Sequence, residues 1–202
     1  MKKECEKVVI STVYSGRSIK IAINKLAPDK LILLIDEPIE TTKKQTIEDL
    51  KKNFGDIIKI ETLKTPLYEL PDIIEKVTKK IDEESSGGNE IIIHITEGRK
   101  TVSLGLLFAG YLRKEKIKGA YYVIEETNQI IPLPIINFSL GESKKNILKQ
   151  VEKGNGIVHE IQNKLNIKQG AIYQHVQELK KEGYLENNKE LKLTDLGRIM
   201  IL

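Results

Sequence analysis

An eight-residue segment near the middle of the chain has the composition of an anion-binding turn. It runs His94-Ile95-Thr96-Glu97-Gly98-Arg99-Lys100-Thr101, between an apolar run and a helix-like pattern. The free N–H groups at the start of a helix attract anions. This segment also supplies two hydroxyls, on Thr96 and Thr101, and two cations, on Arg99 and Lys100. In the simpler alternative, a threonine only caps the helix and the charges face solvent.

A second polar segment follows the first apolar run of the chain. It reads Ser11-Thr12-Val13-Tyr14-Ser15-Gly16-Arg17. Strand ends of a parallel sheet meet at one edge, so both segments are predicted to form one pocket for a phosphodiester or a nucleotide. Neither G-x-G-x-x-G nor G-x-x-x-x-G-K-[ST] is present, which argues against the usual dinucleotide and triphosphate sites.

The elements that must hold these segments alternate between short apolar runs and helical patterns. Predicted strands are Lys7–Val13, Leu31–Ile35, Asp56–Glu61, Glu90–Ile95, Ala120–Ile124 and Gln129–Leu133. Predicted helices between them are Arg17–Leu26, Thr42–Asn53, Glu69–Glu84 and Val102–Lys114. This order predicts an α/β fold, a Rossmann-like and mostly parallel sheet with helices on both faces.

The last third of the chain has a different pattern of predicted elements, with helices in place of the alternating strands and helices. Helices are predicted over Lys144–Lys153, Ile157–Leu165, Lys168–Glu182 and Leu196–Leu202, with short strands at Tyr184-Leu185 and Leu191–Leu193. Three helices, a tight turn before the third and a two-stranded wing are typical of a small winged helix-turn-helix domain, whose third helix enters the major groove of DNA.

Basic and amide side chains dominate the predicted outer face of that domain. Candidate contacts to bases or phosphates are Lys144, Lys145, Lys168, Gln169, Gly170, Tyr173, Gln174, Gln177 and Lys189. A winged helix that binds another protein through a solvated lysine face is the alternative.

Charge and cysteine content narrow the class further. The 202 residues carry a net charge of +4, of which +3 lies in residues 141–202. Cys5 is the one cysteine, so no intrachain disulfide can form and a cytoplasmic location is expected. No apolar run is long enough for a membrane span. We expect no metal site, because His159 and His175 lack neighbouring ligands in the sequence.

The whole chain resembles the CRISPR-associated Rossmann-fold (CARF) regulators of archaea. Thr96-Glu97-Gly98-Arg99-Lys100 is similar to the T-G-G-x-K turn of that family, and a winged helix follows in the same order. Glu97 stands where the family often has a second glycine, which adds a negative charge near the anion site. The resemblance implies a CARF domain for ligand sensing and dimerisation over 1–135, a linker over 136–143 and a DNA-binding domain over 144–202.

The resemblance also implies the ligand and the partners. CARF domains form homodimers that bind a cyclic oligoadenylate, usually cyclic tetra-adenylate, across the two-fold axis, and no other cofactor is implied. Arg99 and Lys100 would hold phosphates, and Thr96, Gly98 and Thr101 would complete their cradle. Ser11, Thr12, Ser15, Gly16 and Arg17 would contact ribose, base or phosphate. Double-stranded DNA would be the partner of the winged helix.

Two other functions stay open from the sequence. Some CARF proteins cleave their ring ligand without a metal, and here Lys100 could stabilise the developing charge while Ser11 or Thr12 positions the ribose. Alternatively, the chain is a winged-helix regulator whose first domain senses another small anion.

Overall fold

The computed structural model describes residues 5–136 and 140–201. Residues 1–4, 137–139 and 202 lie outside the described residues; they include the middle of the expected linker 136–143 and the end of the expected last helix. The chain divides into two compact units between Ile135 and Ile136. Within the described part of the chain, no helix combines the length and apolar character needed to cross a bilayer.

The first unit is a six-stranded sheet with helices on both faces, which confirms the predicted fold class. Its elements are β1 (Lys7–Thr12), α1 (Arg17–Leu26), β2 (Lys30–Asp36), α2 (Thr41–Phe54), β3 (Lys59–Thr65), α3 (Leu70–Ser86), β4 (Glu90–His94), α4 (Lys100–Leu112), β5 (Ile117–Ile124) and β6 (Gln129–Leu133). The strand order is β3-β2-β1-β4-β5-β6, with β5–β6 as the antiparallel pair.

Burial explains why the central strands are apolar throughout. On one face, α3 and α4 cover Val8, Ile10, Ile91 and Ile93 of β1 and β4. On the other, α1 and α2 cover Val9, Leu31, Leu33 and Ile92. A strand that is covered on both faces has no position for a polar side chain along most of its length.

The prediction of β3 as Asp56–Glu61 is displaced towards the N-terminus. The observed strand starts at Lys59 and continues to Thr65. Ile58 is buried before the strand begins, whereas β3 itself lies at the sheet edge and alternates between exposed and covered positions. Apolar content therefore misplaced the strand, because an edge strand does not need a continuous apolar run.

A buried ion-pair cluster joins the start of β2 to the end of α3. Lys30 Nζ lies 2.7 Å from Glu84 Oε1, and both residues are only 6% exposed. Lys80 Nζ contacts the same oxygen at 2.9 Å, and Asn89 donates to Glu84 Oε2 at 2.8 Å. Burial alone would raise the pKa of Glu84, but these partners lower it from 4.5 to about 2.

We expect Glu84→Gln to lower the free energy of unfolding at pH 7 and to flatten its pH dependence. A carboxyl with a depressed pKa stabilises the fold fully above pH 4.5, and the stabilisation is lost as the pH falls towards 2. Urea unfolding at pH 7, 4.5 and 3 measures this effect, with the exposed Glu75→Gln as the control. A decline with falling pH that is equally steep in wild type and Glu84→Gln would contradict the assignment.

The second unit packs its helices around a core of its own. Its elements are α5 (Glu142–Glu152), α6 (Val158–Leu165), α7 (Gln169–Lys181) and α8 (Asp195–Ile199). The buried residues include Leu148, Ile161, Ile172 and Leu179, one or more from each of the three longer helices. Helix α5 begins at Glu142, inside the segment 136–143 that was expected to be a linker.

The wing is shorter than the sequence predicts. Leu185 and Leu193 form one antiparallel bridge, and it is flanked by hydrogen bonds from Glu186 N to Lys192 O at 2.9 Å and from Thr194 N to Tyr184 O at 3.2 Å. The described residues here form no longer ladder of two strands. The intervening residues 186–190 are all exposed, so no apolar packing extends the pairing. Thr194 caps α8, because its Oγ1 accepts from Gly197 N at 3.1 Å.

Candidate functional site

The sheet order brings the two polar segments together. Strands β1 and β4 are neighbours, and Ser11 lies beside His94 in their parallel register. The chain leaves β1 towards β2 on one side and β4 towards β5 on the other, which makes this edge the topological switch point. Ligands of open α/β sheets bind at such points, outside the carboxyl ends of the strands. The predicted location of the site follows from this topology.

A chain of hydrogen bonds through His94 ties three strand ends together. His94 Nδ1 and Nε2 lie 2.8 Å from Ser11 Oγ and from Thr96 Oγ1. Ser11 donates to the carbonyl of Thr12 at 2.8 Å, so it must accept from Nδ1–H. Thr96 Oγ1 accepts from Val123 N at 2.7 Å and is left to donate to Nε2. This arrangement assigns the Nδ1–H tautomer.

The same network uses the hydroxyls of Ser11 and Thr96, two of the residues predicted to contact the ligand. Ser11 and Thr12 are completely buried, and the Thr96 hydroxyl is used by His94 and the backbone of β5. Burial lowers the pKa of His94 to about 4, against an opposing effect of Glu97, so the ring is neutral near pH 7. The residues expected to position a ribose for ring cleavage, Ser11 and Thr12, therefore lie inside the fold.

Thr101 and Gly98 were expected to complete a phosphate cradle, and in the structure they determine the conformation of the turn between β4 and α4. Thr101 Oγ1 donates to Leu67 O at 2.8 Å and so anchors the start of α4 to the segment before α3. Gly98 has a φ of +86°, and a Cβ there would lie 3.1 Å from Thr12 Cβ. The glycine is needed for the sharp turn between β4 and α4.

The carboxylate of Glu97 is bound by the N–H groups of the loop between β1 and α1, which the sequence predicted to bind an anion. Its Oε2 accepts from the N–H groups of Tyr14 and Gly16, and its Oε1 accepts from the N–H and hydroxyl of Ser18. Burial alone would raise the pKa of Glu97, but these donors hold it below its usual value. The sequence flagged Glu97 as an extra charge; the structure makes it the ligand of the β1–α1 loop.

The two cations of the turn have different surroundings. Arg99 is bound by carboxylates on both sides, Nε lying 3.2 Å from Asp36 Oδ2 and Nη2 lying 2.6 Å from Glu40 Oε1. Lys100 is exposed at the first position of α4, and no ion pair to it is found among the described side chains. Lys100 is therefore the cation of the turn that is available to an anion from solvent.

A cavity of about 540 Å³ opens beside this turn. It is lined by Tyr14, Ser15, Glu40, Thr96, Glu97, Gly98, Arg99 and Glu125. Tyr14 has 47% of its surface exposed, enough to stack on a planar ligand. Glu40 and Glu125 were missed from the sequence, because their segments carry no motif and only the fold brings them to the switch point.

Arg17 belongs to a different groove. Its Nη2 donates to Asn128 Oδ1 at 3.3 Å, and it lines a groove of about 490 Å³ with Lys20, Asn24 and Lys25 on the outer face of α1. The expected meeting of Arg17 with Arg99 and Lys100 in one pocket is thus not found among the described cavities. Gly16 contributes its N–H to Glu97 rather than to a pocket.

The second unit presents the start of α7 to solvent. Asn166 at a φ of 49°, Ile167 and Lys168 form the turn between α6 and α7. Exposed along the outer face of the helix are Lys168, Gln169, Gly170, Tyr173, Gln174 and Gln177, as predicted from the sequence. A cavity of about 530 Å³ beside this face is lined by Tyr173, His159 and the wing residue Lys189.

The predicted phosphate contact through Lys144 is not supported by its surroundings. Lys144 Nζ lies 2.9 Å from Glu182 Oε1 and 3.1 Å from Glu178 Oε2, and only 18% of its side chain is exposed. Two carboxylates therefore already neutralise this ammonium. Lys145 lies 3.8 Å from Glu142, a weaker contact that leaves it able to bind an anion.

Comparisons with known proteins agree with both units. Residues 9–128 match the family model described as HFX_2341_N-like, N-terminal, and residues 141–187 match the model described as bacterial regulatory protein, arsR family. No curated protein matches the chain in sequence.

Several solved structures share the fold. Csm6 of Enterococcus italicus bound to cyclic hexa-2′-fluoro-hexa-dAMP has a TM-score of 0.58 at 10% identity, over 91% of this chain and 57% of that protein. Can2 of Sulfobacillus thermosulfidooxidans in complex with cyclic tetra-adenylate has 0.51 at 11%, over 96% and 63%. The protein VC1899 of Vibrio cholerae has 0.53 at 11%, over 96% and 64%. This chain spans about three fifths of their length.

The fold defines a class of protein, a Rossmann-like α/β domain joined to a winged helix-turn-helix similar to that of the arsR family of bacterial regulatory proteins. The match over residues 9–128 covers more than half of the chain. The chain belongs to the HFX_2341_N-like family.

Proposed function

We propose that this protein is a CRISPR-associated transcriptional regulator that binds a cyclic oligoadenylate at the switch point and DNA through its winged helices. The observation that carries the proposal is the placement of an exposed Lys100 and a cavity beside β1 and β4, on a chain that also exposes a recognition helix. Two structures of the same fold, Csm6 and Can2, are bound to cyclic oligonucleotides of six and four units.

Within the site, each proposed role follows from what the side chain can reach. Lys100 would bind phosphate, together with the free N–H groups of the first turn of α4. Arg99 would reach the same phosphate only by giving up part of its contact with Glu40. Tyr14 would stack on an adenine, and the carboxylate of Glu125 would accept from its amino group or from a ribose hydroxyl.

An exposed apolar stripe supports the homodimer. Leu104, Phe108 and Leu112 lie four residues apart on α4 and expose 47%, 38% and 59% of their surface. Apolar side chains contiguous on one helix face mark an interaction surface. A two-fold contact through α4 would bring two copies of Lys100 to one side of the dimer. Cyclic tetra-adenylate, with its own two-fold symmetry, suits such a site, and a cytoplasmic location follows from a function on DNA.

DNA recognition is proposed for the first turns of α7. Lys168 is the N-cap of the helix and Gln169 its first residue, both are exposed, and Gln174 follows between one and two turns later. Lysine neutralises phosphates, while glutamine reads adenine in the major groove. Any change in DNA affinity caused by the ring ligand must be matched by an equal change in ligand affinity caused by DNA.

Two variants should separate base reading from phosphate binding. Gln174→Ala should lower the preference for a selected operator over a scrambled duplex by about 5- to 150-fold, because a base contact contributes about 1–3 kcal/mol. Lys168→Ala should weaken both duplexes alike and reduce the salt slope by about one. Fluorescence anisotropy at several salt concentrations measures both quantities, with an operator selected from random DNA by the full-length protein.

Lys144→Ala is the internal control for this experiment. Its ammonium is paired with Glu178 and Glu182 and reads no base, so its removal should lower the operator preference less than Gln174→Ala does, even though Glu178 also accepts from Gln174 Nε2 at 2.9 Å. An unchanged preference in Gln174→Ala, or no binding of any duplex by wild type, would count against DNA reading by α7 and favour a protein partner.

A further inference from the structure

The contact between Glu97 and the β1–α1 loop has the geometry of a bound anion. Its Oε2 lies 2.9 Å from Tyr14 N and 2.7 Å from Gly16 N. Its Oε1 lies 2.7 Å from Ser18 N and 2.8 Å from Ser18 Oγ. Each oxygen thus accepts two hydrogen bonds, and Glu97 is only 6% exposed. Three converging N–H groups and one hydroxyl are what an oxyanion meets at a phosphate-binding loop.

The loop that supplies these donors is fixed by its own contacts. Gly16 adopts a φ of +77° as the N-cap of α1, and a Cβ there would come within 2.7 Å of Thr46 Cγ2. Thr46 Oγ1 donates to Tyr14 O at 2.9 Å and so holds the loop against α2. The concave set of N–H groups is therefore held in place by the fold. The side chain that fills it, Glu97, lies 79 to 83 residues further along the sequence than the donors.

We propose that Glu97 is a resident anion that excludes ligand phosphate from the start of α1 and thereby determines how a nucleotide lies in the cavity. The phosphate can bind only at the start of α4, beside Lys100. The remaining cavity, with Tyr14, Ser15 and Glu125, accepts the uncharged nucleoside part. This orientation of the nucleotide rests on the proposed ligand site. The binding of Glu97 by the β1–α1 loop does not depend on that proposal.

Electrostatics favour this division of the site. A phosphate placed near the Glu97 carboxylate would meet a like charge in a buried environment, where repulsion is poorly screened. The four donors keep the pKa of Glu97 below its usual value, so the carboxylate stays charged at neutral pH. Exchange of Glu97 for a ligand phosphate would also leave a buried carboxylate without partners, which is strongly unfavourable.

Removal of the side chain should open the cradle to small anions. We expect Glu97→Ala to show a saturable rise in Tm of several degrees with inorganic phosphate, and a smaller one with acetate, as linkage requires for a ligand that binds the folded state. Wild type and the exposed-site control Glu83→Ala should show only the weak, non-saturating effect of a kosmotropic salt. All titrations are run in full-length protein against sodium chloride at equal ionic strength.

Folding of the variant does not limit the test. Should Glu97→Ala fail to fold in chloride, its refolding yield is measured in phosphate and in acetate; recovery in either supports the proposal, and recovery in neither contradicts it. Equal phosphate responses in Glu97→Ala and wild type would also overturn it. Because inorganic phosphate is the probe, these results stand whether or not cyclic oligoadenylates bind.

The orientation has a test of its own. Adenosine 5′-monophosphate should gain at least about tenfold in affinity for Glu97→Ala relative to wild type, while adenosine should not, because a charged hydrogen-bonding site is added for the phosphate alone. A variant that binds inorganic phosphate and shows no such gain would contradict the proposed orientation while leaving the resident anion in place.

Discussion

Replacement of Lys100 by alanine should weaken the binding of cyclic tetra-adenylate by at least about 150-fold without changing the stability of the fold. Loss of a hydrogen bond to a charged group costs about 1.5–3 kcal/mol, and a two-fold site loses two of them. Lys100 is exposed at the first position of α4, and the described residues give it no ion pair that the variant would break. Isothermal calorimetry measures the affinity, and urea unfolding measures the stability.

Lys114→Ala is the matched control, because Lys114 is an exposed lysine just beyond the other end of α4. Its removal changes the net charge of the first unit by the same amount. Equal losses of affinity in the two variants would mean that Lys100 acts only through general charge. Undiminished affinity in Lys100→Ala would remove Lys100 from the site.

Lys43→Met should lower the free energy of unfolding at pH 7 by about 3 kcal/mol. Lys43 is 1% exposed and pairs with Asp36, which is 3% exposed, so the variant leaves a buried carboxylate short of a partner. Breaking a buried pair costs about 3–5 kcal/mol. The lower end of that range is expected, because Arg99 still contacts Asp36 and methionine keeps the packing of the lysine stem.

The pH dependence of this loss identifies its cause. Burial alone would raise the pKa of Asp36, but Lys43 and Arg99 hold it below 3.8 in the wild type. Without Lys43 the carboxyl takes up a proton more readily, so the loss measured by urea unfolding should be smaller at pH 4 than at pH 7. Lys79→Met, which breaks only an exposed pair with Glu75, should change stability by less than about 1 kcal/mol at both values.

Asp36 also orients Arg99, in addition to pairing with the buried Lys43. Arg99 is held between Asp36 and Glu40, so the ion pairs that stabilise the end of β2 also orient a cation of the β4–α4 turn. None of this was visible in the sequence, where Asp36 follows the predicted strand Leu31–Ile35 and Lys43 is one of many helical lysines. Burial of a lysine is rare, and only the packing of α2 against the sheet reveals it.

What the sequence predicted well is what periodicity and strand order determine. α1 and β6 were predicted with the observed bounds, and the two polar segments do meet at the switch point because β1 and β4 are adjacent. The edge strand β3 and the wing were less well predicted, since neither is covered on both faces and apolar runs do not mark them.

Which side chains face the ligand could not be read from the residue types. Ser11, Thr96 and Thr101 are polar residues at strand or helix ends, which is typical of ligand contacts. Each hydroxyl is nevertheless hydrogen-bonded to another group of the protein. Hydroxyls and carboxylates that hold loops in place have the same composition as those that bind nucleotides. Only their hydrogen-bond partners, which come from residues distant in the sequence, distinguish the two.

We propose that a dimer of this chain binds one cyclic oligoadenylate ring at the paired switch points. Isothermal calorimetry of the full-length protein with cyclic tri-, tetra- and hexa-adenylate tests it most directly. We expect saturable binding of cyclic tetra-adenylate with one ring per two chains, and weaker or no binding of the other two rings. No heat with any of the three rings, together with stabilisation by another nucleotide, would contradict the claim, as would one ring bound per single chain.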